Sequence, residues 1–500
     1  MKKYFTILAF AFILPNFANA QNLVDALRYS DFQINGTARS GSMGNAFGAL
    51  GGDFTSVSIN PAGLGLYRSS EFSFTPTFGQ TRVNSNYLKS SMSDSKYNFS
   101  FDNISYVSSI ASQNNNAGLV SVNIGIGYNK LKNFNSNILV GGDNAKSSIL
   151  DYFVSVPNDG MGSDFFYDYY FDLAWDTDLL IKDDDGIYWH DIEEDGYGQS
   201  QQKSISRQGA INEYSLALGL NFSHKLYFGA SIGIVDIFYK ESSTHSEWDK
   251  KNNILYFNDL QFNSYLRTSG TGINGKLGII YKPINELRLG LSVHTPTFYS
   301  LNDVFETSMK SSLTYKDGKT EKYSATSSFW EYDYNLETPL KATLSGAFVI
   351  GKKGLISIDY EYVDYSKARL RRGGDGYQFV YENQEITSAY RAVGNVRLGG
   401  EYRVTDVFSL RAGYEYYPSA YNKYAFDSTQ PNADVNMNIY SCGFGYRQGN
   451  FYFDTAFRYS DSKAFDMLYP APVSNYYPTP EMASFNTLKG SVAFTFGFRF

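Results

Sequence analysis

Seven cations stand on strand faces where small or polar residues alternate with apolar ones: Lys276, Arg288, Arg397, Arg403, Arg411, Arg458 and Arg499, with Glu401, Glu415 and Asp454 on the same faces. Basic groups so placed can hold a carboxylate, and Arg does it best because its planar fork gives two parallel donors. They can equally pair with the three acids and brace a wet interior. Lys276, Arg288, Arg397, Arg411 and Arg458 are therefore the candidates for meeting an acidic ligand. Other chemistry lacks its residues. The four histidines, His190, His224, His245 and His294, are scattered, and no GxSxG, HExxH, CxxC or phosphate-binding loop occurs, so the sequence supports no enzyme. Asp183-Asp184-Asp185-Gly186 suggests calcium, but Ile181 stands where the EF-hand spacing needs an acid or Asn, so a solvated acidic loop is the reading. No metal or cofactor is assigned.

The elements that position these cations are β-strands of one kind. From Ser70 to the end, segments of roughly ten residues alternate apolar with small or polar side chains, the pattern of a transmembrane barrel with lipid outside and a wet lumen inside. In the last segment Val492, Phe494, Phe496, Phe498 and Phe500 oppose Ser491, Ala493, Thr495, Gly497 and Arg499. Phe451, Phe453, Thr455, Phe457 and Tyr459 oppose Tyr452, Asp454, Ala456 and Arg458, and Leu410, Ala412, Tyr414 and Tyr416 oppose Ser409, Arg411, Gly413 and Glu415. Short polar turns are expected at 112–117, 223–225, 283–286, 351–354, 405–406 and 448–450, and long connections at 84–97, 133–210, 241–267, 300–337, 371–387, 421–433 and 466–485. Thirteen connections make fourteen antiparallel strands, with short turns in the periplasm and long loops outside. The chain has 43 Tyr, 39 Phe, 44 Gly and only 13 Pro, with a mean hydropathy of −0.33 and a uniform texture that argues for one large all-β unit. The formal charge of −7 is mild, and no basic run suggests nucleic acid. Cys442, the only cysteine, rules out an internal disulfide and reads as structural filler.

Two stretches break the texture. Met1-Lys2-Lys3, an apolar run to Pro15 and Ala18-Asn19-Ala20 form a secretory signal over 1–20, so the mature chain begins at Gln21. Residues 21–67 follow, with GSMGNAFGALGGDFTSVSINPAGLG at 41–65. Its glycines allow close backbone packing, Pro61 fixes φ, and Met43, Phe47, Leu50, Phe54, Val57 and Ile59 recur too regularly for a flexible linker. A fourteen-strand barrel is too wide for its wall side chains to fill, so this segment is expected in the lumen as a plug. A 22-strand receptor would need a longer chain. The 133–210 loop is acidic and aromatic; Phe166, Tyr169, Tyr170 and Leu173 fall at helical spacing. Such helices on the outer rim either collect hydrophobic ligands, with Phe166 and Tyr170 as contacts, or pack for their own stability.

Gly44-Asn45-Ala46-Phe47, Asp53, Ser56 and Asn60-Pro61-Ala62-Gly63-Leu64 together resemble the hatch of the FadL/TodX family of outer-membrane transporters for long-chain fatty acids and other hydrophobic compounds. Gly272 to Pro283, Leu287 to Gly290, His294-Thr295-Pro296-Thr297 and Thr338-Pro339 are similar to that family's middle strands. The resemblance implies a fourteen-stranded barrel in the outer membrane with a lumenal hatch, Gly44, Ala46, Phe47, Asp53, Asn60, Pro61, Ala62 and Gly63 being its gating residues, near a wall opening at a kinked strand. It implies passive uptake of a hydrophobic small molecule, and a monomer among outer-membrane lipids and lipopolysaccharide, inserted by the assembly machinery with Phe500 as signal. Arg39 to Ala46 also resembles a FadL-like branch that shuttles protein cargo in type IX secretion, and relatives labelled haemin receptors give a third reading. A transporter predicts an apolar path through the lumen; a shuttle predicts a plugged barrel with an external platform.

Overall fold

The computed structural model describes residues 23–112, 118–351, 353–425 and 428–500; the signal segment 1–20 and most of the turn at 112–117 lie outside the described residues. β-branched, aromatic and glycine-rich alternation gives fourteen antiparallel wall strands. In chain order strands 1 to 7 are Glu71–Tyr87, Ser90–Ala111, Leu119–Asn133 continued by Ser136–Gly142, Ser200–Phe222, Leu226–Trp248, Phe257–Tyr281, and Leu287–His294 continued by Phe298–Thr314. Strand 8 comprises Thr320–Thr326, Trp330–Glu337 and Lys341–Ile350, and strand 9 Gly354–Asp364 and Arg369–Arg371. Strands 10 to 14 are Ala392–Arg403, Phe408–Tyr417, Met437–Gln448, Phe451–Met467 and Met482–Arg499. Strand 14 pairs with strand 1 from Glu71↔Arg499 to Asn86↔Ser484, which closes the barrel.

The expected strand count is met, but the long connections are shorter than the alternation suggests. Strands 1 and 2 turn at Leu88-Lys89, where 84–97 reads as loop, and strands 3 and 4 run on through 136–142 and 200–209 of the expected 133–210 loop. Polar-rich alternation (Ser90 to Lys96, Gln201 to Gln208) is weak evidence of strand, because above the lipid both faces of the wall are wet.

Outward positions form the apolar band: Leu216, Leu218, Ile232, Ile234, Leu277, Ile279, Leu289 and Leu291 are all exposed. Cys442 stands in this band and is exposed, so it fills no interior space. Inward positions carry small and polar residues, including Ser215, Asn274, Thr343 and Thr495, all buried by what occupies the lumen. From the short-turn end, residues 23–67 fill it with short helices at Leu23–Arg28 and Ala38–Ser42 and 3₁₀ turns at Phe54–Ser58 and Pro61–Leu66. From the long-loop end, residues 143–199 supply helices Ile149–Asn158 and Asp164–Phe166, a π turn at Tyr167–Phe171, and helix Asp172–Asp176. Helix Val380–Ala389, in the connection between strands 9 and 10, packs its Ile386 and Ala389 into the same cluster as Ala26 and Tyr29 of the N-terminal segment.

Candidate functional site

The N-terminal segment sits on a wall made of glycine. A Cβ on Gly229 would lie 2.1 Å from the Ala62 nitrogen, one on Gly278 1.9 Å from Asn60 Oδ1, and one on Gly290 2.5 Å from the Gly48 carbonyl. At Gly229 and Gly290 backbone thus meets backbone, and at Gly278 the Asn60 amide takes the space a Cβ would need. Gly44, at φ +58°, lies against Leu398 and Tyr414, and its N–H donates to Ser441 Oγ at 3.1 Å. Ala46, Phe47, Pro61, Ala62 and Gly63 are buried, and Gly63 packs against Gly51 and Ser56. Asp53 caps the 3₁₀ turn after it, accepting from the Thr55 N–H at 2.9 Å and Thr37 Oγ1 at 2.6 Å. Asn60 caps the next: Oδ1 accepts from the Ala62 N–H, and Nδ2 donates to the carbonyls of Gly48 (2.7 Å) and wall residue Ile279 (3.3 Å). Ile59 presents its carbonyl to Ser292 Oγ at 2.7 Å and His294 Nε2 at 2.8 Å. Asn60 to Ala62 therefore seats on strands 5 to 7.

The lumenal cations are mostly spent on neighbours. Lys276 is ion-paired to Glu213, and Arg397 lies 3.3 Å from Glu361 and 3.9 Å from Asp359. Arg411 bridges Glu401 and Asp454, each at 2.6 Å. Arg288 donates to the Leu50 carbonyl at 2.7 Å; Arg458 binds Glu415 and Asn35, each at 2.7 Å. Arg288 and Arg458 thus hold the N-terminal segment to the wall. Arg403 is exposed at the short-turn end.

Strands 2 and 3 pair only from Asn103↔Asn129 down to Ala111↔Ser121. Above that level strand 2 pairs with strand 1 alone, and strand 3 with strand 4 alone. Asp102 is an extra residue opposite Pro76, which has no N–H, and Leu131 is an extra residue on strand 3. Lys96 closes the top of the split, donating to the Arg207 carbonyl at 2.8 Å. Inside lies a polar chamber of about 110 Å³, lined among others by Asn35, Asp102, Lys130, Lys132, Arg458 and Lys489. Outside lies an apolar groove of about 980 Å³ with Phe99, Phe101, Tyr106, Ile126, Tyr214 and Ile234. Ser100 and Lys130 line both. Lys130 is 3.8 Å from Asp102, Lys132 donates to the carbonyls of Arg28 and Asp31, and Lys489 makes no ion pair among the described residues. Of the expected cations only Arg458 reaches this chamber. Lys130 and Lys132 escape a parity argument because the extra residue Leu131 shifts the alternation between them.

At the long-loop end, residues 143–199 dock into the mouth rather than on the rim. Ile149 N–H donates to Glu247 (2.8 Å), Ser147 meets Tyr469 (2.7 Å), Thr307 donates to the Tyr169 carbonyl (2.7 Å) and Ser311 to that of Thr177 (2.5 Å). Phe166 is buried edge-on to Tyr152, and Tyr170 lies 5.7 Å from the Phe262 ring. His190 and His245 are bound to Asp151 and Glu247, each at 2.9 Å. Asp183 to Gly186 forms an exposed hairpin turn, with the Ile187 N–H on Asp183 Oδ1.

Residues 210–470 match the family model described as outer membrane protein transport protein (OMPP1/FadL/TodX). No curated protein matches the chain. The fold is similar to that of a Pseudomonas aeruginosa FadL homologue, with TM-score 0.57 at 12% identity, covering 93% of this chain and 98% of that one. It is also similar to the P. putida toluene transporter TodX, with TM-score 0.50 at 13% identity, covering 92% and 98%. At these identities the likeness concerns the fold.

Proposed function

The chain belongs to the FadL/TodX family of outer-membrane transport proteins, and on that premise we propose that this channel for hydrophobic compounds releases its ligand sideways into the membrane, through the split between strands 2 and 3. The family is one of transport channels, not of enzymes. The observation that carries the reading is the junction at Ser100 and Lys130 of a polar lumenal chamber with an apolar groove on the lipid side. Unpaired strand edges facing hydrocarbon cost several kcal/mol per polar group unless they line a cavity, so a wall parted at this level calls for a use. Phe78, Phe99 and Phe101 continue the exposed apolar band beside it.

In this account the hatch, residues 21–67, blocks the straight route to the periplasm, and the 143–199 cap admits ligand from outside. A ligand with an acidic head would leave it beside Lys130, Lys132 and Lys489 while its tail lies in the groove; long-chain fatty acids fit that description. Movement down a concentration gradient needs no energy source. The expected gating residues act through the seat of Asn60 and Ile59 on strands 5 to 7, and Phe500, exposed and hydrogen-bonded to Ser70, is the proposed insertion signal.

One observation favours a second reading. The cap fills the mouth, and the chamber beneath it is polar and small, as a protein-binding shuttle with a stoppered lumen would have it. Mass spectrometry of hydrophobic molecules extracted from the purified protein separates the two. Transport predicts a bound fatty acid or other hydrophobe in stoichiometric yield; an empty lumen in protein that co-purifies with secreted cargo contradicts it.

A further inference from the structure

Charge is segregated along the barrel axis. Between residues 143 and 199, at the external pole, fifteen carboxylates face two lysines. The periplasmic end is the reverse: Arg68 precedes strand 1, Lys225 lies between strands 4 and 5, Lys282 between 6 and 7, Lys353 between 8 and 9, Arg403 ends strand 10, and Arg447 stands near the end of strand 12. The acids at this level are Glu71, which pairs with Arg499, Glu401 and Asp454, which pair with Arg411, and Glu286 and Asp406. None of the six cations forms an ion pair among the described residues; five are exposed and Lys282 is half-buried. Burial, then the like charges of Arg288 and Arg68, hold the Lys282 ammonium below the usual lysine range. Among the periplasmic connections 112–117 and 448–450 carry no charge, and Arg447 stands beside the second.

Unpaired like charges around one rim repel, and a counter-charge outside the chain relieves them. Outward-facing Tyr281, Tyr402 and Phe500 are exposed at the same end, the place of an interfacial aromatic belt, which puts the cations at headgroup depth. We propose that the periplasmic rim binds the phosphates of anionic phospholipids in the inner leaflet, through Arg68, Lys225, Lys282, Lys353, Arg403 and Arg447. The spread around the circumference argues for lipid: a leaflet surrounds the barrel, whereas a docked acidic protein would need cations in one sector. Arg403 and Arg447 also line a pocket just inside the periplasmic rim with Arg39, Glu401, Asp406 and Asp454, so they meet headgroups from the inner edge of the rim. This inference needs the barrel and its orientation only, and stands apart from the transport route.

The test is native mass spectrometry of the delipidated full-length protein offered equal amounts of phosphatidylglycerol and phosphatidylcholine. Phosphatidylglycerol is expected to be retained about tenfold over phosphatidylcholine at low salt, a preference that fades as salt is raised. Substituting Arg68→Gln, Lys225→Gln, Lys282→Gln and Lys353→Gln together abolishes the preference while the heat-modifiable mobility of the folded barrel is unchanged. Equal retention of both lipids by the wild type, or a quadruple variant that keeps the preference, overturns the proposal. So does a polyglutamate peptide that binds the rim and is not displaced by phosphatidylglycerol, which would assign the surface to an acidic protein.

Discussion

Ile59 joins the hatch to the wall through one carbonyl, and two side chains, Ser292 and His294, donate to it. Removing both donors leaves a buried acceptor unmet, at a cost of about 1–3 kcal/mol. Ser292→Ala with His294→Ala is therefore expected to speed hydrogen exchange in residues 54–66 by about tenfold, with the strands of the wall unchanged. Unchanged hatch exchange would mean that the contact bears no load. The sequence shows Asn60 and Pro61 as special but gives no hint that His294 meets Ile59, 235 residues away. Parity placed Lys276, Arg397, Arg411 and Arg458 in the lumen correctly, because a strand's period of two survives without tertiary information. It says nothing about which cation is already paired, since Glu213 and Glu361 come from other strands.

At the scale of elements, the hatch and the wall share one device read at two places. Gly41 to Gly65 announces close packing in its composition, while Gly229, Gly278 and Gly290, which receive it, look like ordinary barrel glycines. The cap yields a pH dependence. Burial, with repulsion from Glu194, raises Asp191 to about 6; burial and Glu382 raise Glu385, on helix Val380–Ala389, to about 7. A carboxyl raised in the folded state stabilises fully below its ordinary pKa and loses that contribution as pH climbs through the raised value. Both elements are thus expected to loosen between about pH 4 and 7. Hydrogen exchange of residues 188–195 and 380–389, corrected for intrinsic rate, would be faster at about pH 8 than at about pH 5, and Asp191→Asn with Glu385→Gln would flatten the difference. The opposite slope in the wild type would contradict the burial of these groups. Helix Ile149–Asn158 and helix Val380–Ala389 went unread because a strand-rich sequence hides short helices that only tertiary packing supports.

For the whole molecule, a net charge of −7 conceals two opposed poles, an acidic cap and a basic rim, which a single sum cannot show. The strand count was legible because six turn signals and the closing phenylalanine strand each rest on local pattern. The split between strands 2 and 3 was not, because Asp102 and Leu131 are extra only relative to partners in other strands. That split is where the transport account stands or falls. With Cys442→Ala as background, cysteines at Ser100 and Lys130 can be joined across it by a reducible bifunctional linker. Uptake of a radiolabelled long-chain fatty acid by cells with equal surface levels should drop when the linker is closed and return on reduction. Uptake that continues unchanged with the linker closed would contradict lateral release through this wall.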